Sequence, residues 1–261
     1  MSSHPSSTAS AEGISVFFPA YNDAASLPRL LATTFATLEA TGRPFEVIVV
    51  NDGSYDETAA VLHALQQQYG PARLRVITHE SNRGYGGALR SGFAAARLPL
   101  VFYTDGDGQY EPAELPKLLA LLRPSTGLVN GYKLLRNDPW HRIFIGRVYN
   151  RFARFLFHIR IRDIDCDFRL IRRELLDGLD LASTSGTICV ELVRKIEVSG
   201  CGIAEVGVHH YPRLHGRSQF FRWRSLLTTF TQLLNLYRTL VLLPHFHAHP
   251  RRPSPAANRG D

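Results

Sequence analysis

A chain of 261 residues, 44% apolar and 20% charged, can bury one large core, and its composition excludes collagen-like, coiled-coil and wholly disordered classes. Thirty Lys and Arg against 23 Asp and Glu leave a formal charge of +7, which calls for an anionic partner: nucleic acid, anionic lipid or a phosphorylated small molecule. Cys166, Cys189 and Cys201 are odd in number and scattered, which argues against a disulfide framework or a zinc cage and fits a reducing cytoplasm.

In chain order, residues 1–13 are Ser/Ala-rich, without a basic segment leading into an apolar one, and read as a disordered lead-in, not a signal peptide. Short β-branched or aromatic runs bounded by Asn, Asp or Gly then predict strands at Ile14–Phe18, Glu46–Val50, Leu74–Thr78, Leu100–Thr104 and Leu128–Tyr132. Segments of helix length lie between them, near Ser26–Ala40, Asp56–Gln68, Gly86–Ala96 and Pro112–Leu122, with Ser26 and Pro112 as start signals. This alternation predicts an α/β fold, a doubly wound and mostly parallel sheet whose ligands sit beyond the carboxyl ends of its strands. Asp167–Ile171, a helix near Thr187–Ser199 and a strand at Ile203–His209 complete the domain.

Two amphipathic segments stand apart. Arg147, Arg151, Arg154 and His158 recur at helical spacing beside Phe144, Val148, Phe152 and Phe155, which is either a cationic stripe along an aromatic one or a surface helix with an apolar underside. From Leu226 to Val241 apolar residues repeat at helical spacing, preceded by Arg213, Arg217, Arg222 and Arg224, in a stretch with no acidic residue between Glu205 and Asp261. A bilayer span needs about 20 mostly apolar residues, and polar residues recur too often here. The expectation is a helix lying on an anionic membrane over 220–246, or else docked on the domain, followed by a disordered Pro/Arg-rich tail over 247–261.

Three predicted strand ends carry carboxylates. The first ends Pro19-Ala20-Tyr21-Asn22-Asp23, the second Asn51-Asp52-Gly53-Ser54, and the fourth Thr104-Asp105-Gly106-Asp107-Gly108-Gln109. Two carboxylates two residues apart at the mouth of a buried strand repel unless a cation compensates them, and Mg²⁺ or Mn²⁺ held by one or two carboxylates keeps positions open for diphosphate oxygens. Asp23 and Asp52 suit hydrogen bonds from a base or ribose, or else Asp52 only turns the chain and caps the next helix. The third strand is followed by Asn82-Arg83-Gly84-Tyr85-Gly86-Gly87, neither a dinucleotide fingerprint nor a Walker loop.

These four segments, in this order, resemble family 2 glycosyltransferases. Gly131-Tyr132-Lys133, Arg142, Arg147, the run Asp163-Ile164-Asp165-Cys166-Asp167-Phe168-Arg169-Leu170, and His210-Tyr211-Pro212-Arg213-Leu214-His215-Gly216-Arg217-Ser218 resemble the dolichyl-phosphate mannosyltransferase branch and its bacterial polyprenyl-phosphate relatives. The resemblance spans residues 14–219 and implies a nucleotide-diphospho-sugar transferase fold, a metal-dependent inverting reaction, a donor of the GDP-mannose or UDP-glucose type and a polyprenyl phosphate acceptor. It implies that Pro19, Ala20, Tyr21, Asp23 and Asp52 line the nucleoside pocket. Asp105 and Gly106 would flank ribose and diphosphate, and Asp107 and Gln109, with Asp105, would hold Mg²⁺ or Mn²⁺. Lys133, Arg142 and Arg147 would meet the acceptor phosphate, and Arg213, on a loop closed by Gly216 and Ser218, the donor diphosphate. Asp107, Lys133 and Arg213 are the catalytic candidates.

The sequence departs from the pattern at Asp23, where Glu is usual, at Lys133, where Arg is common, and at Asp167, where Gly is frequent; it also lacks the transmembrane helices that some relatives carry after the catalytic region. The implied location is the inner face of the cytoplasmic membrane, with no nucleic acid as partner. A transferase with a soluble acceptor is the alternative reading.

Overall fold

The computed structural model describes residues 11–136, 140–213 and 223–243, with the backbone alone for 135–136, 140–142 and 223–228. The expected lead-in, apart from residues 11–13, and the expected tail lie outside the described residues.

Seven strands, β1 (Ile14–Ala20), β2 (Phe45–Asn51), β3 (Leu74–Thr78), β4 (Leu100–Thr104), β5 (Thr126–Arg136), β6 (Phe168–Arg172) and β7 (Gly202–His210), form one sheet in the order β3-β2-β1-β4-β6-β5-β7. The first four pair in parallel, as does β5 with β7, whereas β6 runs antiparallel between β4 and β5. Every residue of β1 is buried because both faces of the sheet are covered. Phe17 looks to one core with α3 (Gly84–Ala95), α5 (Trp140–Phe157), α7 (Thr187–Val198) and α8 (Trp223–Tyr237). Val16 and Phe18 look to the other, with α1 (Leu27–Thr41), α2 (Thr58–Tyr69) and α4 (Leu115–Leu119). Full burial of each such side chain contributes about 1.5–3 kcal/mol, so the two-sided core fixes the sheet on which the strand ends are displayed.

The helix expected over Pro112–Leu122 is a 3₁₀ turn, Pro112–Glu114, followed by the short α4. A second proline, Pro116, lies in the first turn of α4, where its missing N–H costs least. A further short helix, α6 (Arg173–Asp177), follows β6 directly.

The two amphipathic helices divide their faces differently from a simple apolar underside. In α5, Ala153 and Phe157 are buried while Phe144, Val148, Phe152 and Phe155 face outward, Phe155 being 79% exposed. Helix α8 docks through Leu233 and Leu236, with Phe230 and Leu234 outward, and passes through a π turn at Arg238–Leu242. Phe157 and Tyr237 meet edge to face at 6.0 Å, so α5 and α8 are neighbours. No helix among the described residues is long and apolar enough to cross a membrane.

One polar side chain anchors α8. Gln232 Oε1 accepts from the Ser185 amide (3.1 Å), the Ser185 hydroxyl (2.8 Å) and the Thr187 hydroxyl (3.0 Å), and its Nε2 donates to Thr184 Oγ1 (2.7 Å). Gln232→Ala removes these four bonds, leaving the Ser185 and Thr187 hydroxyls to each other at 3.0 Å, and a loss of about 1–3 kcal/mol is expected. Hydrogen exchange of the α8 amides will be faster in the variant while that of β1 and β4 stays the same; equal α8 protection would show that apolar docking alone holds the helix.

Candidate active site

Parallel pairing sets Ala20 beside Asn51 in register, and β4 lies on the other side of β1, so the loops after β2, β1 and β4 emerge along one edge of the sheet. Backbone bonds stitch them together: the Asp52 amide donates to the Ala20 carbonyl (2.9 Å) and the Gly106 amide to the Pro19 carbonyl (3.0 Å). A Cβ at Gly106 would stand 2.8 Å from that carbonyl oxygen, so only glycine allows the approach. Ser26, a helix cap by sequence, instead donates its hydroxyl to the Gly106 carbonyl (2.7 Å).

The carboxylates converge in part. Arg213 binds Asp23 Oδ1 through Nη2 at 2.7 Å and reaches Asp107 Oδ2 at 3.8 Å through Nη1, bridging the first and fourth loops. It arrives there because the chain beyond β7 pairs with the loop after β4: the Tyr211 amide donates to the Gln109 carbonyl (2.8 Å), and Tyr110 bridges His210. Tyr85 donates to Asp105 Oδ1 at 2.7 Å. Asp52 sits apart, its Oδ1 taking His79 Nδ1 at 2.6 Å and the Arg83 amide at 2.8 Å, which holds the Asn82–Gly87 loop in place. Tyr21 meets Tyr55 edge to face at 6.0 Å on the rim.

Burial dominates the electrostatics. It pushes the Asp23 carboxyl up to about 6, aided by Asp107 and opposed by the Tyr21 amide and Arg213. Asp105 is held well above the usual carboxylate range by burial and by the charges of Asp167 and Asp107, against the Tyr85 hydrogen bond. Asp107 is raised by burial and pulled back by Arg213, the Gln109 amide and Lys133. Burial thus outweighs Arg213, the cation that pairs with Asp23 and Asp107.

Asp105 and Asp107 with the amide oxygen of Gln109 form an all-oxygen donor set, the kind that suits Mg²⁺ or Mn²⁺. The Gln109 amide nitrogen is committed to the Tyr211 carbonyl at 3.0 Å. Among the described residues no three His, Cys, Asp or Glu side chains form a ready cage. Mg²⁺ needs none where one or two carboxylates and substrate phosphates complete its shell, so these residues fit such an ion.

Beside the cleft lies a groove of about 440 Å³ lined by Tyr132, Lys133, Leu134, Ile143, Arg147, Asn150, Arg162 and Asp163. Lys133 Nζ donates to the Asp165 carbonyl at 2.7 Å, and its charge is felt at Asp107, so groove and cleft adjoin. Lys133 and Arg147 are thus brought together; the Arg142 side chain and Ser218 lie outside the described residues.

A family model described as glycosyl transferase family 2 matches residues 15–179, more than half of the chain and every strand end that carries these carboxylates. The chain belongs to glycosyl transferase family 2. An undecaprenyl-phosphate 4-deoxy-4-formamido-L-arabinose transferase of Pseudomonas aeruginosa (strain LESB58) is 32% identical over 215 residues, covering 82% of this chain and 62% of its own. The protein of that name from Enterobacter sp. (strain 638) is 30% identical over 230 residues, covering 87% and 66%. The chain thus spans about two thirds or less of the length of these curated relatives. In fold it is similar to glucosyl-3-phosphoglycerate synthase from Mycobacterium tuberculosis in complex with Mn²⁺ and UDP-glucose: TM-score 0.67, 20% identity, 90% of this chain and 80% of that one. The same enzyme with Mg²⁺ and UDP gives a TM-score of 0.66 at 20% identity, covering 90% and 81%.

Several residues at this family 2 site had no role in the sequence reading. Tyr85 was legible only as part of a glycine-rich stretch, but it stands in the first turn of α3, which packs closely on the Ser183 backbone: a Cβ at Gly86 would lie 2.2 Å from the Ser183 carbonyl oxygen. His79, Tyr55 and Arg162 lie in loops without periodicity, and no spacing signal marks them.

Proposed function

We propose that this chain transfers a hexose, mannose or glucose, from a nucleotide-diphospho-sugar to polyprenyl phosphate with inversion at the anomeric carbon. The observation that carries this reading is the juxtaposition of an acid-lined cleft with a separate cationic groove, Lys133 standing between them. Its family membership and the undecaprenyl-phosphate acceptor named for its relatives support the same assignment.

Pro19, Ala20, Tyr21 and Asp23 line the nucleoside side, with Asp52 set behind them on His79 and the Arg83 amide, and Lys133, Arg142 and Arg147 hold the acceptor phosphate. A phosphate monoester is largely dianionic at neutral pH, its second pKa being about 6, so no general base is required. An acceptor oxygen attacks the anomeric carbon as the bond from that carbon to the diphosphate oxygen breaks, and the electron pair leaves with the nucleoside diphosphate. Arg213 exchanges Asp23 and Asp107 for the diphosphate. Asp105, Asp107 and Gln109 would hold a divalent ion, which would supply Lewis acidity toward the diphosphate.

The outward apolar faces of α5 and α8, with the exposed Arg147 and Arg151, suit peripheral attachment to an anionic membrane, where the acceptor's chain resides. We assign this surface to the inner face of the cytoplasmic membrane.

The test incubates the protein with Mg²⁺, a short polyprenyl phosphate and labelled GDP-mannose, UDP-glucose or nucleotide-linked 4-deoxy-4-formamido-L-arabinose. Lipid-extractable label from GDP-mannose or UDP-glucose is the expected result, and label from the arabinose donor alone would keep the acceptor and overturn the hexose. Label that enters only water-soluble acceptors, without sedimentation on anionic vesicles, would replace this reading with a soluble-acceptor transferase.

A further inference from the structure

The groove beside the cleft contains a cation that neither the motifs nor the family match assigns. Arg162 stacks its guanidinium over the Tyr132 ring, 4.9 Å from the centroid, and has no carboxylate partner among the described residues. Its backbone is held from two elements: the Asn150 amide of α5 donates to the Arg162 carbonyl at 2.8 Å, and the Arg162 amide donates to Glu205 Oε1 of β7 at 2.7 Å. Asn150 also accepts from the Ile164 amide at 3.1 Å, so α5 clamps both sides of Asp163. The segment that carries Arg162 is therefore held before any ligand arrives, and the Tyr132 ring supports its exposed guanidinium, which reduces the ordering cost of binding.

Charge gives this arrangement its purpose. Asp163 lines the same groove, its carboxylate taking the Asp165 amide at 3.2 Å and the Lys133 amide at 3.4 Å, and it would repel an anion. Among the other described side chains that line the groove, Lys133 and Arg147 less Asp163 leave a single positive charge, short of the about −1.5 to −2 of a phosphate monoester. Arg162 raises the balance to two. We infer that Arg162 is a further cation of the acceptor groove, beside those already assigned to the phosphate, and sets its selectivity for a dianionic phosphate monoester, with Tyr132 orienting the guanidinium from beneath. A stacked guanidinium presents its N–H edge in a fixed plane, which an ammonium cannot do.

This inference rests on the transferase reading, so its experiment separates the two. Binding of farnesyl phosphate and of inorganic phosphate is measured by calorimetry for the full chain and for Arg162→Gln, Arg162→Lys, Tyr132→Phe and, as a charge-matched neighbour outside the groove, Arg160→Gln. The acceptor and donor KM are measured for the same proteins, with melting curves to establish folding. Loss of one charge-assisted contact predicts that Arg162→Gln weakens farnesyl phosphate binding and raises acceptor KM about tenfold. Donor KM stays unchanged, Arg162→Lys recovers little, Tyr132→Phe, which keeps the ring, loses less than Arg162→Gln, and Arg160→Gln remains near wild type. Inorganic phosphate binding that falls in parallel assigns Arg162 to the phosphate and not to the prenyl chain. Acceptor binding within twofold of wild type in folded Arg162→Gln, or an equal loss in Arg160→Gln, overturns the inference. Absence of transfer to any prenyl phosphate by the wild type overturns the function instead, and the calorimetry still decides Arg162.

Discussion

Asp107→Asn is expected to remove sugar transfer, by about 10²–10³-fold or more, and at the same time to raise the melting temperature of the metal-free protein. Both effects have one origin. Asp23, Asp105 and Asp107 are all held above the ordinary carboxylate range chiefly by burial, so at neutral pH each ionised form destabilises the folded state. For Asp23 the sign follows from its rise from 3.8 to about 6: the folded protein holds this proton more tightly than the unfolded chain. Its penalty is absent below about pH 4, grows as the pH rises to 6, and is complete above, reaching about 3 kcal/mol. Metal-free protein should therefore melt higher at pH 5 than at pH 7.5, and Asp107→Asn should melt higher than wild type at pH 7.5. Mg²⁺ should raise the melting temperature of the wild type and not that of the variant. Thermal scans with and without chelator measure all three, and a variant less stable than wild type at pH 7.5 would show that the Asp107–Arg213 contact outweighs the repulsion.

The second large effect lies beneath the groove. Arg169 is fully buried and binds Asp167 Oδ1 at 2.7 Å and Asn130 Oδ1 at 2.7 Å, and it also donates to the Tyr103 hydroxyl and the Ile164 carbonyl. Asn130 in turn donates to the Asp163 carbonyl at 3.2 Å, so the network holds the loop against which Lys133 rests. Arg169→Met leaves the Asp167 carboxylate buried without its cation, and a loss of about 3–5 kcal/mol is expected. Because the damage is the orphaned charge, Arg169→Met with Asp167→Asn should recover part of it, at least about 1 kcal/mol. Urea unfolding midpoints at constant slope report both. A double variant no better than the single one would place the cost in packing around the guanidinium.

Much of this molecule is legible from one dimension. Strands β3 and β4 have the predicted bounds, and β1, β2 and β7 differ by at most two residues at either end, because short β-branched or aromatic runs bounded by turn-forming residues carry a strong local signature. The Asp105–Gly106–Asp107 loop could be placed at a strand end for the same reason. Arg169 is the opposite case. It reads as a motif residue with no address, and its burial follows only from β6 running antiparallel between β4 and β5, which directs it onto Tyr103 and Asn130.

The helices show the same boundary. Spacing alone finds the aromatic and cationic stripes of α5, but which stripe faces outward depends on what the sheet and α7 leave uncovered, and Tyr149, Ala153 and Phe157 take the inner positions. Local pattern thus determined the elements, the edge of the sheet that carries the acids and the family, since each depends on neighbours a few residues apart. Tertiary structure alone decided that Arg213 bridges Asp23 and Asp107, that Tyr85 reaches Asp105, and that Arg162 joins Lys133 and Arg147 around one groove. Those contacts join segments up to 190 residues apart, and their energies depend on burial and distance, which exist only once the chain has folded.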